Sequence, residues 1–425
     1  MAKHYGIWPY LAGAAAARTG DEMSGPALLL AGLAATGSAA TGSALLAAVT
    51  AAAAFGGPVF GVLLDRSARP GRLLTAALAG YAVALGVILS TLDLVPLAIT
   101  LLIAVGAGLL GPALSGGWTS QLPRVVPAAD LPRATAFDAM TFNLASLTGP
   151  ALAGVVASAA GADVGVIAAL TLICLALPAA WGLPSSRGRA ARAGPTTSIG
   201  TDLVAGFRVI ARTPPLARAT AASMWSCVGQ GILIAYSPVL GERVLDSPAR
   251  GTILLSVAAA SALATNTLLA RRPHTIRPDT VMWCGPLILA GALLVATIGR
   301  PVALIAAMLL AGVGEGPQLT ALFAIRHREA PAHLRGRIFT TGASLKITAF
   351  ALGAALTGPL TTPTLALPLH AAAGCQVLAA LTFAIRRSPN NRAHPTAEPS
   401  PTPAEHTARA DPSAPDPRRG DGIGP

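Results

Sequence analysis

The stretch Gly57-Pro58-Val59-Phe60-Gly61-Val62-Leu63-Leu64-Asp65-Arg66-Ser67-Ala68-Arg69-Pro70-Gly71-Arg72 ends a long apolar run in a compact cluster of charge. No charged residue separates Glu22 from Asp65, and a second apolar run follows Arg72 at once. A membrane-spanning helix needs about 20 apolar residues at 1.5 Å of rise each. Two such runs joined by a short charged loop read as two spans that meet on one side of a bilayer.

The rest of the chain repeats this pattern. Of 425 residues, 53% are hydrophobic and 11% charged, and the charges are clustered. A soluble domain carries roughly 25% charged residues, and this composition cannot cover a soluble surface of that size. The runs are continuously apolar rather than alternating with period two, which argues against a membrane barrel. Twelve spans are predicted, at roughly 9–36, 41–64, 73–91, 95–118, 134–159 and 163–183, then 215–240, 250–270, 280–298, 301–325, 338–360 and 364–385. Lys3 and the small residues Ala14 to Ala17 imitate a signal peptide, but Pro9, Gly13 and Arg18 interrupt it, so the first run reads as a retained helix.

Loop charge sets the orientation. With the N-terminus inside, the inner loops hold Arg66, Arg69, Arg72, Arg124, Arg133, Arg187, Arg189, Arg192, Arg208, Arg212, Arg271, Arg272, Arg277, Arg326, Arg328, Arg335 and Arg337. The outer loops hold only Arg243, Arg250 and Arg300. Such an asymmetry places both termini in the cytoplasm of a multi-pass cell-membrane protein. It also accounts for the net charge of +12 without nucleic acid.

The fold class that follows is an all-α polytopic membrane protein of twelve transmembrane helices in two six-helix pseudo-repeat bundles. Leu147-Thr148-Gly149-Pro150 recurs as Leu356-Thr357-Gly358-Pro359, each copy in the fifth helix of its half. The predicted divisions are an N-terminal bundle, 1–183, a cytoplasmic linker, 184–214, a C-terminal bundle, 215–387, and a proline-rich disordered tail, 388–425.

Several motifs carry functional expectations. Gly61 permits close helix approach, and Asp65 suits the positive N-terminus of another helix. With Arg66, Gly71 and Arg72 this stretch resembles the loop 2–3 signature of the major facilitator superfamily, although Pro70 and the longer spacing depart from it. The resemblance implies a conformational latch against the eleventh helix near Gly336-Arg337. Leu122-Pro123-Arg124 through Arg133, leading to Gly149-Pro150-Ala151-Leu152-Ala153-Gly154, resembles the helix 5 packing motif of drug/proton antiporters. An arginine within helix 4, which many antiporters carry, is absent. The resemblance spans about 9–385 and implies a proton-coupled exporter of drugs or metabolites.

Ionisable groups inside spans cost roughly 2.5–3.5 kcal/mol each at mid-bilayer and need a reason to be there. Arg18, Asp21 and Glu22 share a face of helix 1, so Arg18 is expected to pair with those carboxylates. One cation against two acids leaves either a net charge or a bound proton. Glu315 and Lys346, at matching depth in helices 10 and 11, form a second candidate pair. Gln230 and Asn266 are candidate hydrogen-bonding groups. Asp138, nearer the cytoplasm, is expected to be neutralised by a neighbouring arginine.

Gly106-Ala107-Gly108-Leu109-Leu110-Gly111 fits a dinucleotide fingerprint literally, but it lies in an apolar span and reads as helix packing. There is no phosphate-binding Gly-Lys-Ser/Thr loop, no metal-ligand spacing and no catalytic constellation. No cofactor, metal or enzymatic activity is expected. The partners are a small-molecule substrate, protons and the lipid bilayer, and the working unit is a monomer. The function predicted is secondary active transport, with efflux of small amphipathic molecules ahead of two alternatives: solute import, or a non-transporting sensor on the same fold.

The topology is directly testable. Reporter fusions after Ser90, Gly161 and Gly299 should report outside, and fusions after Pro70, Gly194 and Pro278 inside. A cytoplasmic signal at Gly161 would overturn the assignment of the first half.

Overall fold

A computed structural model describes residues 6–185, 199–271, 276–360 and 366–384. Apart from short 3-10 turns and loops, these residues are helical. The first half comprises α1 (Ile7–Thr36), α2 (Ala39–Arg66), α3 (Pro70–Thr91), α4 (Leu97–Pro112), α5 (Leu131–Ala160) and α6 (Ala162–Trp181). A short helix, α7 (Ile199–Arg212), precedes the second half. That half comprises α8 (Pro214–Leu245), α9 (Pro248–Arg271), α10 (Pro278–Ala296), α11 (Pro301–Glu329), α12 (Arg335–Leu360) and α13 (Ala366–Ala384).

All helices except α7 are transmembrane. Ten of them are long and apolar enough to cross a bilayer on length and composition alone. The other two, α1 and α8, span 30 and 32 residues, but Arg18, Asp21 and Glu22 interrupt one and Ser223, Ser226 and Gln230 dilute the other. Proline at the first helical positions starts α3, α5, α8, α10 and α11, where its missing N–H costs no hydrogen bond. The α5–α6 connection is a single residue, Gly161, at φ +105°, a backbone conformation open to glycine and strained for other residues.

The same helix pairs pack in both halves. In the first, α1 packs on α2, α5 and α6, α2 on α4, and α3 on α4 and α6. In the second, α8 packs on α9, α12 and α13, α9 on α11, and α10 on α11 and α13. The tetrapeptide repeat is thus matched by an independent repeat in packing.

Between the halves, α2 packs on α12, and α5 on α9 and α11. These contacts fall towards the face where the arginine-bearing loops gather. Ala53, Gly57 and Gly61 of α2 meet Ser344, Thr340 and Arg337 of α12. Phe142 of α5 meets Phe323 of α11, with ring centroids 5.4 Å apart. After Pro112, α4 continues through a π-helical turn, Ala113–Gly117, which sets Gly116 against the backbone of Phe339. Towards the opposite face, α5 beyond Gly149 and α12 beyond Phe350 are largely exposed.

The region expected to be a plain linker contains α7. Gly206 packs against the side chain of Arg337, and Ile210 is buried with Leu216, Ala330 and Ile338. The apolar face of α7 thus covers the start of α12. The expected disordered tail from 388 onward, and residues 186–198 of the linker, lie outside the described residues.

Candidate functional site

The interface between α2 and α12 is closed by one carboxylate. Asp65 accepts hydrogen bonds from the backbone N–H of Gly336 at 2.8 Å and of Arg337 at 2.9 Å. These are free donors in the first turn of α12, where the helix dipole favours an anion. The Arg337 Nε lies 3.7 Å from the second oxygen. Gly61 lets this happen: a side chain there would run into Thr340 Oγ1 and the Arg337 backbone. Gly71 packs α3 on the end of α6 at Ala180, and Arg72 lies 4.9 Å over the ring of Trp181. Arg66 is exposed.

Arg18 is not paired with Asp21 or Glu22. Its guanidinium crosses to α5, where Nη1 donates to the Asp138 carboxylate at 2.9 Å and to the Asp138 carbonyl at 3.0 Å. Nη2 donates to Thr119 at 2.8 Å, Nη1 also donates to Thr141, and the Phe142 ring lies 3.7 Å away. Thr119 and Tyr10 donate to Asp138 at 2.9 and 3.0 Å. Two physical reasons override the helical-wheel expectation. Side chains on a helix lean towards its N-terminus, which carries Arg18 away from residues 21 and 22. Asp138 is wholly buried, so a cation must reach it.

Asp21 and Glu22 consequently diverge. Asp21 lies beside Tyr81 of α3, whose hydroxyl is 2.9 Å from Ser24 Oγ, and Ser24 in turn donates to the Asp21 carbonyl at 2.7 Å. Glu22 is exposed, and the cation acting on it is Lys346 of α12, in the other half. Gly149 of α5 packs directly behind Glu22, where a side chain would collide with its Cβ and backbone. Of the expected helix 5 packing motif, only Gly149 makes that close approach. Pro150 is exposed, and a side chain at Gly154 would meet open space.

Glu315 and Lys346 line a common cavity where the second bundle meets Asn143 of α5. The expected salt bridge between them is not formed: among the described residues neither makes an ion pair within 4.0 Å. Lys346 nevertheless acts electrostatically on both Glu315 and Glu22. Gln230 is also in the wall, with Asn143, Ser226 and Gln318. Ser226 donates to Gln318 at 3.2 Å, and its carbonyl accepts from Gln376 at 3.0 Å. Met282, Leu319 and Leu322 supply the apolar lining. Asn266 lies elsewhere: it is fully buried between α9 and α11 and accepts from Thr320 at 3.0 Å.

Sequence reasoning singled out Gln230, Glu315 and Lys346 but missed Asn143, Ser226 and Gln318. Single small polar residues in a span look like packing contacts unless helices from both halves are known to converge on them. A second buried cation, Arg326, was assigned to a loop. It sits inside α11 against Gly342, 5.8 Å from the Phe339 ring. Among the described residues no group of histidine, cysteine and carboxylate side chains is arranged to hold a metal.

The sequence model of the Major Facilitator Superfamily matches residues 10–358. An uncharacterized MFS-type transporter of Sinorhizobium fredii, y4rN, is 29% identical over 339 residues, covering 76% of this chain and 78% of that protein. Among solved structures, the human organic anion transporter MFSD10 (TETRAN) superposes with a TM-score of 0.74 at 14% identity, over 89% of this chain and 99% of that one. A bacterial homologue of the iron transporter ferroportin, in an outward-facing state, does so with a TM-score of 0.69 at 16% identity, over 89% and 98%. At these identities the two structures speak to the fold alone.

The Arg18 network yields a stability prediction. Arg18→Ala should destabilise the protein by about 3–5 kcal/mol by stranding Asp138. Adding Asp138→Asn should restore a large part of that loss, whereas adding Asp21→Asn or Glu22→Gln should restore none. Thermal melting in detergent reads all four variants. Recovery by the α1 neutralisations instead would refute the observed pairing.

Proposed function

The chain belongs to the Major Facilitator Superfamily, and on that premise we propose that it is a proton-coupled exporter of small amphipathic molecules in the cell membrane. The arginine-rich face is the cytoplasmic one, both termini are cytoplasmic, and the monomer is the working unit. The observation that carries this reading is the pair of unequal ends: the halves are packed together beside the arginine-rich loops, while a charged cavity lies between them farther from those loops. A single opening that alternates between two faces is what secondary transport requires.

The arrangement suggests how the cycle is run. Opening the cytoplasmic side means withdrawing Asp65 from the first turn of α12 and separating Phe142 from Phe323. Glu22 faces Lys346 across the divide, so a proton on Glu22 removes an attraction that ties the two halves. Asp21, with Tyr81 and Ser24, lies behind it within the first bundle and forms a polar route for a proton away from the substrate. The named wall of the cavity has no aromatic residue, which favours an amphipathic substrate over a sugar stacked on rings.

Two experiments test this. Expression in an efflux-deficient bacterial host should confer resistance to members of a broad toxic panel, and those compounds then serve in proteoliposomes with an imposed pH gradient. Asp21→Asn/Glu22→Gln should abolish uphill movement and spare downhill exchange. Uphill accumulation that survives the double neutralisation would place coupling elsewhere.

The latch is tested separately. Asp65→Asn removes a charge worth about 1–2 kcal/mol at the helix terminus, which corresponds to a roughly five- to thirtyfold change in equilibrium. Alkylation of Ala139→Cys from the cytoplasmic side should rise by that order in a background lacking the native cysteines. Unchanged alkylation and transport would reduce the motif to a topology signal.

A further inference from the structure

Two opposite charges, Glu315 and Lys346, line one cavity without pairing. In an interior of low dielectric, a bare carboxylate and a bare ammonium at such close quarters attract strongly. If they served only structure, a direct ion pair would be the expected arrangement. Among the described residues neither takes a hydrogen bond or salt bridge. Both are partly accessible from the cavity.

Their depths differ in a consistent way. Counted along its helix from the arginine-rich end, Lys346 lies about 16 Å in and Asn143 about 18 Å in. Glu315 lies about 21 Å and Glu22 about 22 Å from the corresponding ends of α11 and α1. Within the cavity wall the cation and an amide donor thus form a lower layer and Glu315 an upper one; Glu22 lies at a similar depth on α1 but is not among the residues that line the cavity. Asn143 is 9% exposed, and its Nδ2, a donor, has no hydrogen-bond partner. Arg326 lies below the lower layer, against Gly342, one turn before Lys346. The cavity is therefore polarised along the transport axis, positive towards the arginine-rich face and negative away from it.

A polarised cavity selects a polarised ligand. A simple cation would meet Glu315 but would also face Lys346. A simple anion would meet Lys346 and Asn143 under the repulsion of Glu315. A molecule with both charges a few ångströms apart satisfies both layers. Resting on the transport reading above, we propose that the substrate is a small amphipathic zwitterion of the α-amino acid type. Its carboxylate is held by Lys346 and the Asn143 amide, its ammonium by Glu315, and its apolar part lies on Met282, Leu319 and Leu322.

Full-length protein in nanodiscs tests this with three related probes: L-leucine, isopentylamine, which keeps only the ammonium, and 4-methylpentanoate, which keeps only the carboxylate. The remaining proteinogenic L-amino acids are screened beside them by thermal stabilisation, and the best binder is then compared with its own amine and acid analogues. The expected result is that at least one amino acid binds at least tenfold more tightly than either analogue. Glu315→Gln should remove the preference over the acid and keep that over the amine. Lys346→Gln should remove the preference over the amine and keep that over the acid. Asn143→Ala should weaken amino-acid binding and leave the amine unaffected.

Equal or tighter binding of the amine would overturn the proposal in favour of a cation site. Failure of every amino acid to bind would overturn it outright. Variants that retain the wild-type melting temperature without ligand show that lost binding is not lost folding. If proton-driven export of panel compounds persists while no zwitterion binds, this proposal fails and the transport reading stands. If neither occurs, both fail.

Discussion

A charge within the membrane is stabilised by an opposite charge, a helix terminus or water, and this requirement places Arg18, Asp138 and Asp65. Asp138 has no access to water, so Arg18 is drawn to it across a helix boundary, with Thr119 and Tyr10 donating to the same carboxylate. Asp65 uses the unpaired N–H groups that open α12. Glu22, Glu315 and Lys346 have neither solution and stand where the halves part. The charges satisfied inside the protein hold the fold, and those left facing the cavity are the ones available for work.

This division explains what could be read from the residues alone. Span positions were legible because hydropathy is a local property: most of the twelve helices begin and end within a few residues of expectation. The target of Asp65 was legible too, since a motif resemblance pointed to Gly336-Arg337, and the contact is present. The partner of Arg18 was not. A helical wheel ranks only neighbours on the same helix, and Asp138 is 120 positions away. The cavity wall was half legible for the same reason. Glu315 and Lys346 are conspicuous as rare charges, whereas Asn143 and Gln318 acquire meaning only when α5 and α11 meet.

The two halves share a packing plan but not a chemistry. The offset that aligns the tetrapeptide repeat sets Cys227 opposite Arg18 and Gln230 opposite Asp21. Where the first bundle has a buried arginine and a carboxyl group, the second has a thiol and an amide, and its own charges sit on α11 and α12. The first bundle is thus internally braced around Arg18, and the second presents its charges to the cavity.

The helix between the bundles has a mechanical consequence. α7 rests its Gly206 on the side chain of Arg337, the same residue whose backbone N–H holds Asp65. The covalent tie and the electrostatic one therefore converge on a single point of α12. A connection of that kind behaves as a strut rather than a string: its stiffness adds to the closed state, and opening has to lift it from the surface it braces. α7 is therefore part of this interface, and separating α2 from α12 at this end would also have to lift α7 from the surface it covers.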